Sequence, residues 1–259
     1  MQIHELTLAT KDLAAQWAFW GERLGLPTRE ADDAIEVPLQ TSTLRFEAAS
    51  PGTDPQYHFA INVPRRSITE AAAWIDERHE LLAFHGDPDV EEGATIVHTD
   101  RGASALYFLD GAGNVVELIA NLHLDNASDA PFGPDSLLEI AEIGVATADI
   151  EATRAAIQAT LSAEILWGGH EGWKLTAIGD DHGVVIVAPT GRGWIPVNLP
   201  ARPEPTRIVA AAPRPCELTL REGRSANCRD ESASTVAPMT SSLSRRLMFD
   251  AVLARRRLP

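Results

Sequence analysis

Lysine is nearly missing from this chain of 259 residues: Lys11 and Lys174 stand against twenty arginines, a compositional bias shared with its many alanines. Cysteine is equally scarce, and Cys216 and Cys228 both fall in the last fifth. The main body therefore has neither a disulfide framework nor a cysteine-based zinc pattern. No run reaches the roughly 18 consecutive apolar residues that a membrane span needs. The first residues carry His4, Glu5, Lys11 and Asp12 where a leader would have a basic region and then an apolar stretch. A cytoplasmic location is expected. Net positive charge is also absent. A formal net charge of −15 argues against nucleic acid and anionic membranes as partners. What remains, 44% hydrophobic and 23% charged, is ordinary for a folded chain. The length suffices for one large or two small domains.

The pattern of the chain repeats. Glu5 to Thr10 (ELTLAT) alternates as a half-buried strand, and Asp12 can cap the helix that follows, with Leu13, Trp17, Trp20 and Leu24 at helical spacing. Two short strands follow, Ala34 to Pro38 and Thr43 to Ala48. The order then restarts at His58 to Val63 (HFAINV), with Ser67 and Glu70 as a capping box for a helix bearing Ile68, Ala71, Ile75 and Leu82. Strands Thr95 to Thr99, Ala105 to Leu109 and Val115 to Ala120 complete this second unit. A third copy opens at Glu142 (EIGVAT), and Thr147-Ala-Asp149-Ile150 matches Thr10-Lys-Asp12-Leu13. Such repetition signals tandem βαβββ units. The expected class is α+β: a curved mixed sheet around a cavity, with helices outside. Residues 1–124 would form a module of two paired units, 125–137 a linker, 138–200 a third and partial module, 201–220 extra strands, and 221–259 a disordered tail.

One carboxylate stands out. Glu117 lies in the apolar strand Val115 to Ala120, behind the turn Asp110-Gly-Ala-Gly-Asn114. An unpaired charge there is costly, so it needs a partner, a metal or a raised pKa, unless the strand is an edge with Glu117 in water. The first faces of the opening strands are small or polar: Glu5, Thr7, Ala9; His58, Ala60, Asn62; Glu142, Gly144, Ala146. Such a face lines a cavity, into which Glu5, His58 and Glu117 would project. One imidazole and two carboxylates can hold a metal, and a buried polar network explains them equally well. His98 would approach the same cavity as a group supporting the ligands or as a catalytic proton carrier, and Arg45 would either hold an anionic group of a substrate or lie on the surface.

The tandem units, with ELTLATKDLAAQWAFWGERLGLP, YHFAINVP and YFLDGAGNVVELIA, make Met1 to Pro196 resemble the vicinal oxygen chelate superfamily of glyoxalase I, extradiol dioxygenases and bleomycin-resistance proteins. The resemblance implies a divalent ion (Fe, Mn, Zn, Ni or Co) on Glu5, His58 and Glu117, with Glu5 where metal enzymes commonly have histidine. It implies a metal-dependent lyase or ring-cleaving dioxygenase acting on a small molecule through vicinal oxygens. The alternative is a metal-free binding protein of the bleomycin-resistance type. The third unit lacks a carboxylate in its closing strand Val184 to Ala188, so no metal is expected there. Its unpaired edge is expected to be covered by a second copy in a homodimer or by Thr206 to Leu220.

Overall fold

The computed structural model describes residues 1–99, 102–169, 175–212 and 214–220. The tail read as disordered, 221–259, lies outside the described residues.

β1 (Gln2–Thr10) leads into Asp12, whose carboxylate accepts the Ala15 amide at 2.8 Å and starts α1 (Leu13–Trp17). The helix continues as a π-helical turn over Ala18–Arg23. β2 (Arg29–Ala31), β3 (Ala34–Pro38) and β4 (Thr43–Ala48) close the first unit. The second runs through β5 (His58–Val63), α2 (Ile68–Asp76), β6 (Ile96–His98), β7 (Ala103–Leu109) and β8 (Val115–Asn121). Ser67 does not form the expected capping box: its hydroxyl donates to the Pro64 carbonyl at 2.7 Å instead. The third unit is β9 (Glu139–Thr147), α3 (Ile150–Leu161), β10 (Ile165–Gly168), β11 (Thr176–Asp180) and β12 (Gly183–Pro189). Asp149 caps α3 through the Ala152 amide, as Asp12 caps α1. A small ribbon of β13 (Gly193–Trp194) and β14 (Leu199–Pro200) follows, and then the hairpin β15 (Thr206–Ala212) and β16 (Arg214–Leu220).

Each unit's opening strand lies parallel to its closing strand: β1 to β4, β5 to β8 and β9 to β12. The main path of the sheet is β2-β3-β4-β1-β9-β5-β8-β7-β6. β9 thus stands between β1 and β5, where direct pairing of the first two units was expected. Unit two closes on unit three through antiparallel β5 and β9, and β1 pairs along most of its length with β15. The physical reason is that each opening strand presents the same free edge and the same alternation. The repeat defines the units and leaves their partners open.

The pairing of β5 and β9 is irregular. Ala60 faces Glu142 and Ile61 faces Ile140, so Ala141 is an extra residue on β9. Side chains alternate along a strand, and residues three apart would normally point to opposite faces. The bulge lets Glu139 and Glu142 share the face that carries Asn62 and Ala60.

The two faces of the sheet carry separate apolar clusters. Trp20, Phe46, Phe59, Phe108 and Leu118 pack on the helix side. Phe84, Tyr107, Ile119, Ala177, Ile186 and Trp194 fill the concave side of units two and three. Each large side chain so buried contributes roughly 1.5–3 kcal/mol.

The turn between β7 and β8 is fixed by Asp110. Its buried carboxylate accepts the Ala112 and Asn114 amides at 2.9 and 3.0 Å, Asn114 Nδ2 at 2.7 Å and Gln16 Nε2 at 2.8 Å. That ties the hairpin to α1. The hairpin register then sets Tyr107 opposite Glu117.

Candidate metal centre

Three strands side by side build the centre. Ala60 on β5 has Glu117 of β8 as its neighbour on one side and Glu142 of β9 on the other. His58 stands two residues before Ala60 and so on the same face. One ligand-type atom each from His58, Glu117 and Glu142 lies within 4.8 Å of the other two. The three residues are 4%, 5% and 4% exposed.

The imidazole is oriented from behind. His58 Nδ1 lies 3.2 Å from the Val115 carbonyl, which can only accept, so Nδ1 donates to it, and in the neutral imidazole Nε2 presents a lone pair. Nε2 is 3.4 Å from Glu117 Oε2, an atom with no hydrogen-bond donor. With the imidazole neutral, two acceptors face each other in a buried site. A cation between them resolves this: two ligand bonds of about 2.1 Å at a tetrahedral angle put their donor atoms about 3.4 Å apart. The Tyr107 phenol bonds Glu117 as well, and burial first, then the Glu117 charge, hold its proton far above the usual range. Burial first, and then Glu117, also raise the Glu142 carboxyl well above ordinary carboxylates. Two unit charges about 4 Å apart repel by roughly 4 kcal/mol at the effective dielectric of a protein site. A proton or a cation must therefore offset the second carboxylate.

The structure brings together two of the three residues expected as ligands, His58 and Glu117, and leaves Glu5 out. Glu5 forms an ion pair with Arg207 and accepts the Thr7 hydroxyl at 3.1 Å, because β15 rather than a unit-two strand runs beside β1. Glu142 of the third unit stands beside His58 and Glu117 in its place. The signal for it was the match of EIGVAT to ELTLAT; which strand it would meet was not encoded there. His98 is not in the cavity. It is exposed on the strand β6, with Nδ1 2.8 Å from Ser104 Oγ. Arg45 is committed to Glu36 at 2.8 Å and Glu47 at 3.0 Å on the first unit's own sheet face. Tyr107 and Trp194, whose ring centroid lies 5.2 Å from that of His58, were not anticipated. Tyr107 follows from the hairpin count, and nothing in the sequence pointed to Trp194.

A separate cavity of about 460 Å³ lies away from the three ligand-type residues, lined by Gln2, Thr41, Leu124, Glu139 and His182 among others. No helix among the described residues is long and apolar enough to cross a membrane.

No family model and no curated protein matches the chain. Several solved structures are similar to it. A putative dioxygenase from Bacillus subtilis is 14% identical, with 78% of this chain and 67% of that one covered at a TM-score of 0.49. Glyoxalase I from Zea mays is 14% identical over 73% of this chain and 66% of its own, with a TM-score of 0.45. The oxidase ChaP-H2 is 24% identical over 47% of this chain and 94% of its own, at 0.37. Likenesses this distant decide nothing about residues or activity, and the fold is read from the strand order itself.

Proposed function

We propose, for a chain with the fold of the vicinal oxygen chelate superfamily, that it is a metal-dependent enzyme acting on a small oxygen-rich molecule, with a divalent ion on His58, Glu117 and Glu142. The observation that carries this reading is the pair of facing acceptors, His58 Nε2 and Glu117 Oε2, at 3.4 Å with Glu142 beside them. Two carboxylates balance the charge of a divalent ion, and one imidazole with two oxygens suits Mn, Fe, Co, Ni or Zn. Such an ion supplies Lewis acidity towards two neighbouring oxygens of a substrate. The chain's own residues do the rest. The Val115 carbonyl orients the His58 ring, the Tyr107 phenol bonds Glu117 from the strand opposite, and the apolar concave wall excludes water.

Dialysis against Mn, Fe, Co, Ni and Zn in turn, followed by elemental analysis, tests this. About one ion per chain is expected from at least one metal, and His58→Ala should lose it. Failure of all five to bind stoichiometrically would overturn the reading.

A further inference from the structure

Residues 190–201 leave the large sheet and cross its concave face. β13 and β14 pair with each other and stand apart from the main sheet. The ends of the segment are tied together, Gly191 N donating to Ala201 O at 2.8 Å and Ala201 N to Arg192 O at 2.7 Å, while Thr190 N donates to Thr147 O at 3.0 Å. A loop closed at its own base can swing without breaking the sheet. Its inward side chains are Trp194 and Ile195, both buried, and Val197 faces solvent at 43% exposure.

Trp194 lies on the centre. Its ring is tilted 35° to that of His58, with centroids 5.2 Å apart. A Cβ at Gly144 would come within 2.6 Å of Trp194 Cη2 and 2.7 Å of Cζ2. Gly144 is two residues beyond Glu142 on the same face of β9, so the strand is bare where the indole rests. Below the indole the sheet forms the floor, and the helix-side core closes the far face. His58, Glu117 and Glu142 are almost without solvent contact in this arrangement. A molecule can reach them by moving the roof.

We infer that residues 190–201 form a gate over the centre and that Trp194 is its closing element, displaced whenever a ligand enters. The purpose of the gate rests on the function proposed above; its existence rests on the geometry alone. The test therefore needs no metal. In the full chain with Cys216→Ser and Cys228→Ser, a thiol introduced by His58→Cys is titrated with 4,4′-dithiodipyridine. It should react at least tenfold more slowly than an exposed thiol. Trp194→Ala removes the roof and Gly144→Ala forces the indole away, and each should speed labelling at least tenfold. Labelling at the exposed rate with Trp194 in place would overturn the gate, as would equal slow rates in folded variants. Amide exchange in the unsubstituted chain decides the matter if those variants do not fold. The Thr190 amide, which ties the loop to Thr147 O, should exchange at least tenfold faster than those of β8 and β9, and equal protection would overturn the gate. An open gate in a chain that binds no ion would sink the proposed function alone.

Discussion

Glu5 and His58 hold the same place in two copies of one unit and meet opposite charges. Two residues beyond His58, Ala60 has Glu117 and Glu142 as its lateral neighbours; two beyond Glu5, Thr7 has Arg45 and Arg207. One plan of strands thus carries carboxylates in one half and guanidiniums in the other. The guanidiniums are matched by acids on the same face, Arg45 by Glu36 and Glu47, Arg207 by Glu5 and Glu217.

Ligand substitutions should separate the two halves. Glu142→Gln is expected to weaken metal binding beyond the roughly 10–100-fold typical of losing an outer partner. Glu5→Gln should leave stoichiometry and affinity unchanged, and should cost no more than about 1 kcal/mol because Arg207 keeps Glu217 in a partly exposed pair. Calorimetric titration of both variants with the same ion checks this.

The pH dependence of stability follows from Glu142. Its folded pKa is raised, so the folded chain keeps a proton that the unfolded chain releases. The stabilisation is complete below the ordinary glutamate range and is lost as pH rises through the folded value. Without divalent ions, the melting temperature should fall as pH is raised from about 5 to about 8. Glu142→Gln should flatten that slope, and melting curves at several pH values read it directly.

His182 ties the β11–β12 turn to β9. Its Nδ1 lies 3.0 Å from Glu139 Oε1, and this hydrogen bond raises its pKa. Burial pushes Glu139 up, yet the bonds from His182, Asn62 and Gln2 hold it below the ordinary range. For the histidine the stabilisation is present below its unfolded pKa and is lost as pH rises through the raised folded value. His182→Ala should cost at most about 1 kcal/mol near pH 6, given an exposed side chain, and less near pH 9, where the imidazole is neutral. Urea denaturation at the two pH values measures the difference.

The turn before the centre tolerates little. A Cβ at Gly111 would fall 2.3 Å from the Ala15 carbonyl oxygen, a backbone atom that cannot step aside. Gly111→Ala should therefore cost about 1–3 kcal/mol. Asp110→Ala should cost at least as much, since it strips the acceptor from two backbone amides and two side chains. Chemical denaturation of each variant gives the values.

The units were legible because period-two alternation, helix caps and turn residues are local. Asp12 and Asp149 cap as read, and the hairpin after Asp110 lies where its glycines put it. Which strands meet was not legible. Opening strands of a repeat share one pattern, and pairing is chosen by contacts distant in sequence. The bulge at Ala141 was invisible for a related reason: an extra residue leaves the apolar alternation readable while changing which acids share a face. His98 failed by a different route. Alternation set it opposite Val97, and β6 lies at the end of the sheet, so its outward side chain meets water.

The position of β9 has a consequence for how the chain could be divided. A cut within residues 125–137 leaves His58 and Glu117 on one fragment and sends Glu142 with the other; the same cut parts Glu5 from Arg207. Neither fragment inherits a complete half of the protein. The two pieces are braced across each other, as two interleaved hands are, so that the group of His58, Glu117 and Glu142 is rebuilt only by mixing them.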